Sequence, residues 1–291
     1  MRRAKFAGMF YQRARSLLDR QITECFEGEK GPGALPSTNL KSNTKVKAVI
    51  VPHAGYAYSG QAAAWSYKHL AEQGMSDLYI IIGPSHGSSK SALTTQTFDM
   101  PYGYVRVDQH FARELMKKGN ITEDDSIHDD EHSVEVQIPF LQFIFKKEAE
   151  KLKILPILVG QDISRDKLKK LALDIQEVAM DMNKNVTLII SSDFTHYGPA
   201  YKYMPFESHR KENVYKMDEA AINLIKEFKS EEFLDLINKE LMTICGALPI
   251  YLLLNYFKSG KVMLEQYYTS ADLDTKSDYR NSVSYASIIF T

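Results

Sequence analysis

The chain is poor in the residues that mark specialised proteins. Only two cysteines, Cys25 and Cys245, occur in 291 residues. That excludes a disulfide framework and fits a reducing compartment, so the expected location is the cytoplasm. Long apolar runs are also missing. No segment approaches the roughly 18 consecutive apolar residues of a membrane span, and the basic start Met1-Arg-Arg-Ala-Lys-Phe6 has no apolar stretch behind it. Charge of one sign is not in excess. Lys and Arg total 36 against 37 Asp and Glu, a net charge of -1, which argues against nucleic-acid or membrane partners. With no repeat, low-complexity tract or dividing linker, residues 1–291 read as one domain, long enough to bury a large core.

What is present is an alternation of two patterns. Short apolar runs at 46–52, 78–83, 152–159 and 186–192 predict buried strands. Shorter strands are expected at 94–99 and 104–107, and closing strands at 262–268 and 283–290. Between them, helical spacing marks residues 12–27, about 59–70, 108–118 behind Asp108, 213–228, 231–239 and 247–257. The clearest helix has Ser164 as a possible N-cap and an apolar stripe of Leu168, Leu171, Ile175, Val178 and Met182. Residues 133–146 are helical in pattern, but Pro139 is expected to kink or end that helix. Residues 30–45 read as a loop. The whole predicts an α/β fold, with a central, largely parallel or mixed sheet covered by helices on both faces.

Metal-competent side chains follow three of the apolar runs, and a cysteine precedes another apolar stretch. His53 stands in Pro52-His-Ala-Gly-Tyr-Ala-Tyr-Ser-Gly60, and His86 in Gly83-Pro-Ser-His-Gly87. Asp193 and His196 stand in Ser191-Ser-Asp-Phe-Thr-His196, and Cys245 in Thr243-Ile-Cys-Gly246. Open α/β sheets bind ligands beyond the carboxyl ends of their strands, so these residues are candidates for one shared site. Each also has a plainer reading. His53 can be a structural histidine in a tight turn, with Gly55 supplying a positive φ or a close approach. Asp193 can cap a turn. Cys245 can be a small buried residue, or a thiol whose pKa is lowered by the start of a helix near Ala247. Cys25 reads as a buried packing residue. In Asp129-Asp-Glu-His-Ser-Val-Glu135, helix capping accounts for most of the charge, leaving His132 and Glu135 as candidates for the surroundings of the site. Tyr56 and Tyr58 are candidates for a pocket wall, as are Phe10 and Tyr11 of the aromatic-rich segment near the N-terminus.

Taken together and in this order, these segments resemble the Memo family (mediator of cell motility). The matching pieces are Ala7-Gly-Met-Phe-Tyr11, Pro52-His-Ala-Gly-Tyr56, Gly83-Pro-Ser-His86 and Asp130-Glu-His-Ser-Val-Glu135. They continue with Pro156-Ile-Leu-Val-Gly160, Ser191-Ser-Asp-Phe-Thr-His196, Thr243-Ile-Cys-Gly246 and Ser282-Val-Ser-Tyr-Ala286. That family is similar to class III extradiol dioxygenases of the protocatechuate 4,5-dioxygenase catalytic-subunit type, which hold non-haem iron(II) with two histidines and a carboxylate. The resemblance implies that fold, with His53 and His86 as histidine ligands and Cys245 as third ligand in place of the carboxylate. It implies His196 as acid/base, with Asp193 beside it. A thiolate makes the set softer, so the implied metal is iron or copper, with zinc as the alternative.

Three functions follow as expectations. The first is metal-dependent redox chemistry on a small substrate in a dioxygenase-like pocket. The second is a non-enzymatic module that binds a peptide or small ligand in a vestigial catalytic crevice. The third is a metal-dependent hydrolase. The oligomeric state is left open.

Overall fold

The apolar runs form the middle of one large sheet. The structure, a computed structural model, describes residues 1–37 and 45–291. The strands are β1 (Arg2–Arg3), β2 (Ala48–Val51), β3 (Leu78–Pro84), β4 (Ala92–Leu93), β5 (Phe98–Met100) and β6 (Gly103–Val107). After them come β7 (Lys153–Val159), β8 (Val186–Ser191), β9 (His196–Tyr197), β10 (Val262–Thr269) and β11 (Ser282–Phe290). The main path runs β1-β5-β6-β7-β3-β8-β2-β11-β10, with β4 on β7 and β9 on β11. From β6 to β2 every pairing is parallel, whereas β11 is antiparallel to both β2 and β10. The sheet is therefore mixed, with a parallel centre. Every residue of β2 and β3 is buried, as expected for strands covered on both faces.

Helices supply that cover. They are α1 (Arg15–Glu27), α2 (Tyr56–Gln73), α3 (Gln109–Lys117), α4 (Ser126–Asp129), α5 (Ile138–Ile144), α6 (Arg165–Asp181), α7 (Arg210–Lys226), α8 (Ser230–Lys239) and α9 (Ala247–Tyr256). One group is α2, packed on β2, β10 and β11 with α1 and α5 against it. The other is α9, packed on β3 and β8 with α6 and α8 against it. No described helix is long and apolar enough to cross a membrane.

Several local expectations change. Pro139 neither kinks nor ends a helix. It sits in the first turn of α5, where its missing N–H costs nothing, and a short 3-10 turn over Glu135–Gln137 leads into it. Helix α2 starts earlier than expected, at Tyr56, with Gly55 as its N-cap at an ordinary φ of -55°. The predicted strand 94–99 is confined to Phe98–Met100, and the two-residue β4 was not foreseen. Asp108 and Ser164 cap α3 and α6 as expected, accepting from the Phe111 and Lys167 N–H groups. The expected loop at 30–45 lies partly outside the described residues. Its part from Lys30 to Ser37 carries no helix or strand.

Candidate functional site

Three adjacent strands, β3, β8 and β2, run parallel and end at the same edge of the sheet. His86, Asp193 and His53 each stand two residues beyond the last residue of one of them. Cys245 reaches the same edge from the other direction, two residues before α9. Its approach depends on Gly246. A Cβ there would lie 2.3 Å from Ser192 Cβ and 2.9 Å from the Ser191 carbonyl oxygen, so only glycine lets this turn press onto the end of β8. The Gly246 N–H donates to Ser192 Oγ at 3.1 Å.

The result is a convergent set of donors. One ligand atom each from His53, His86 and Cys245 lies within 4.8 Å of the others, and His86, Glu131 and His132 form a second such group sharing His86. Cys245 Sγ is 3.1 Å from His53 Nε2. His132 stacks on His86 at 4.7 Å between ring centroids and meets His53 edge-on at 5.3 Å.

Surrounding hydrogen bonds settle where the imidazole protons sit. Ser191 Oγ donates its only hydrogen to the Ser133 carbonyl at 2.6 Å. It therefore accepts from His53 Nδ1 at 3.0 Å, and also from Gln137 Nε2 at 2.8 Å. His53 thus carries its proton on Nδ1 and presents a bare Nε2 to the site. Burial, then the neighbouring histidines His132, His86 and His196, push its pKa well below the usual value, so the ring is neutral. His86 donates Nδ1–H to Glu131 Oε1 at 2.9 Å, which leaves its own Nε2 open. Burial alone would raise the Glu131 carboxyl. Hydrogen bonds from the His86 ring and backbone and from the Ser133 N–H instead hold it at about 2. His196 follows the same plan, because both partners of its Nδ1 are carbonyl oxygens, of Phe194 and Thr243, each at 3.0 Å. Three imidazoles therefore offer Nε2 lone pairs whose orientation is fixed from behind.

One expectation about protonation needs correction. Cys245 does not have a lowered pKa. Burial raises it well above the usual value and the Asp193 carboxylate adds to this, outweighing the N–H groups of Asp193 and Gly246. Asp193, placed beside His196 by the resemblance, makes its hydrogen bonds to the turn that carries His53. Its Oδ1 accepts the His53 and Ala54 N–H groups at 2.8 and 3.3 Å, fixing the turn after β2, and its Oδ2 lies 4.0 Å from His53 Nε2. Burial raises the pKa of this carboxyl.

The remaining candidates divide. His132 and Phe10 stay at the site, their rings 4.5 Å apart, and burial lowers His132 to about 4. Glu135 is fully occupied elsewhere. It accepts from Arg2 Nη1 at 2.6 Å, Tyr11 OH at 2.7 Å and the Lys5 and Phe6 N–H groups, which pins the N-terminal segment beneath Phe10. Tyr11 is part of that clasp. Tyr56 is buried, packs on Phe140 and donates its hydroxyl to the Val136 carbonyl, so it is core. Tyr58 is exposed. Cys25 is buried, as expected.

Sequence reading passed over four residues with a claim on the site. Glu131 adjoins His132 in a matched segment, which was the available signal. Ser191 opens a matched segment and carried the same signal. Gln137 gives none, because polar residues in apolar surroundings look alike until their partners are known. Tyr201, edge-on to His196 at 5.2 Å, gives none either.

Comparison with known proteins agrees with this arrangement. The family model described as Memo-like protein matches residues 2–289. A MEMO1 family protein of Methanopyrus kandleri is 33% identical over 291 residues, covering 98% of this chain and 96% of its own length. One from Thermococcus kodakarensis is 31% identical over 298 residues, covering 98% and 97%. Another, from Desulfurococcus amylolyticus, is 34% identical over 293 residues, covering 98% and 96%. The sheet, the spacing of its donor residues and these full-length likenesses place the chain in the Memo family.

Proposed function

We propose that the crevice holds a transition metal through His53, His86 and Cys245 and supports redox chemistry on a small substrate. The observation that carries this is the convergence of three donor atoms within 4.8 Å, two of them imidazole nitrogens whose protons are held on the opposite side of the ring. The donor set fits such an ion. Two neutral imidazoles and a sulfur suit iron, copper or zinc and disfavour magnesium and calcium, which take oxygen ligands. When bound, the metal supplies Lewis-acid polarisation and, if iron or copper, one-electron chemistry.

The protein's own residues do the rest. His196 holds a free Nε2 beside Tyr201 and serves as the base or acid for a substrate proton. Asp193 fixes the turn that carries His53, and Glu131 fixes the ring of His86. His132 and Phe10 wall one side. A sulfur ligand is vulnerable to oxidation, which accords with a reducing cytoplasm.

Elemental analysis of anaerobically purified protein tests the reading. Near-stoichiometric iron or copper is expected, lost in His53→Ala and Cys245→Ala and retained in His196→Ala. Zinc without oxygen uptake supports the hydrolase instead. Protein that neither carries nor takes up metal leaves a binding module.

A further inference from the structure

Asp193 is taken up by the turn that carries His53, and among the described residues no carboxylate hydrogen-bonds to His196 directly. One stands a single peptide away. Asp218, on α7, is fully buried, and its partners are neutral donors. Its Oδ1 accepts the Thr195 hydroxyl at 2.6 Å and the Thr195 N–H at 3.3 Å. Its Oδ2 accepts the Tyr267 hydroxyl, on β10, at 2.6 Å. Burial raises the pKa of this carboxyl, and those donors oppose the rise. Thr195 immediately precedes His196, in the loop between β8 and β9.

The Thr195 N–H and the Phe194 carbonyl belong to one planar peptide group and point in opposite directions. Asp218 holds the N–H end, and the carbonyl end accepts His196 Nδ1–H at 3.0 Å. The peptides on either side are tied to Ser284. Phe194 N–H donates to the Ser284 carbonyl at 2.8 Å, and Ser284 N–H donates to the Thr195 carbonyl at 3.0 Å. The plane of the peptide between them is left to Asp218. A negative acceptor on its N–H also strengthens its carbonyl as an acceptor, because hydrogen bonds in a chain polarise one another. The Thr243 carbonyl, also at 3.0 Å, holds Nδ1 from the other side.

We infer that Asp218 is the positioning carboxylate of His196, acting through the Phe194–Thr195 peptide and so fixing the direction in which the free Nε2 faces. Tying α7 to the sheet needs only the hydroxyls of Thr195 and Tyr267. The grip on the Thr195 N–H is what reaches the imidazole. A carboxylate suits the place because it accepts on both oxygens, and so takes the peptide and Tyr267 together. The inference rests on the proposed acid/base role of His196 for its functional meaning, and on these hydrogen bonds for its substance.

NMR of the full chain with nitrogen-15 histidine tests it, after chelation and at about pH 8.5, where an ordinary histidine is neutral. His196→Gln assigns the resonance. Asp218→Ala is expected to speed exchange of the His196 Nδ1 proton with water about tenfold or more, since only the Thr243 carbonyl then holds it. Asp218→Asn keeps an oxygen for the Thr195 N–H without the charge. It should restore most of the protection and move the Nδ1 proton resonance upfield, because a neutral oxygen polarises the peptide less. Denaturant unfolding reads stability separately. A destabilised Asp218→Ala whose His196 proton exchanges at the wild-type rate would overturn the inference. So would an unmoved resonance in Asp218→Asn, which decides the matter even if Asp218→Ala fails to fold. Elemental analysis that finds no metal would remove the redox reading and leave the tie between Asp218 and His196 to be judged by these resonances alone.

Discussion

At the scale of single residues, orientation behind the donors matters as much as the donors. Ser191 gives its hydrogen to the Ser133 carbonyl and accepts from both His53 and Gln137. Its replacement by alanine leaves His53 free to turn or to move its proton to Nε2. Ser191→Ala is expected to fold and to lose about 10–100-fold in metal affinity. Competition with a chromophoric chelator measures this, and unchanged affinity would show that packing alone holds the ring. A second residue sets a pH response away from the site. His128 is buried, and burial lowers its pKa to about 4 from 6.5. Between those values the unfolded chain takes up a proton that the folded chain refuses, so stability falls as the pH drops through 6.5 and levels off below about 4. Glutamine retains an N–H for the Ala92 carbonyl that His128 Nε2 contacts at 3.1 Å. Denaturant unfolding of His128→Gln across this window should show a shallower decline than the wild type.

At the scale of elements, the N-terminal segment depends on one ion pair. Arg2 and Glu135 are both buried, 2.6 Å apart, and Arg2 also donates to the His128 and Glu131 carbonyls. Arg2→Met strands the Glu135 carboxylate and should cost about 3–5 kcal/mol, most of it regained in Arg2→Met with Glu135→Gln. Urea unfolding of the single and double variants checks this, and additive losses would contradict it. The clasp also explains a misreading of the sequence. Glu135 was legible as a candidate near the site, but its true partners lie more than a hundred residues earlier in the chain, and no local pattern points to them. Pro139 was misjudged for a different reason: the spacing shows a helix through 133–146 but not that its first turn starts late. Strands β2, β3 and β8 were legible because strands buried on both faces are nearly continuous apolar runs. Two-residue β4 and β9 leave no such trace.

At the scale of the whole molecule, the proposed metal binds the native crevice and not the separated donors of the unfolded chain. Free metal at a hundred times its dissociation constant should therefore stabilise the protein by about 2.7 kcal/mol, with a melting temperature that rises with metal concentration. Thermal unfolding across a metal series tests this, and His53→Ala should show no rise. The fold class and the meeting of His53 and His86 were readable because strand ends gather in any parallel sheet, whereas Cys245, which precedes α9, was joined to them by the family resemblance.

Strand β11 sits between β2 and β10, and its first residues pair with His196 and Tyr197. One edge of the strand that leads to His53, and the segment bearing His196, thus both await residues 282–290, which leave the ribosome after every donor has been made. Pairings between such distant segments form slowly compared with local helices. A nascent chain therefore has its imidazoles and thiol before it has positions for them. The proposed metal, which binds the crevice and not the separated donors, would then enter only once β11 has docked. On that proposal, the docking of β11 and not the synthesis of the last donor sets the earliest moment at which the chain can hold an ion.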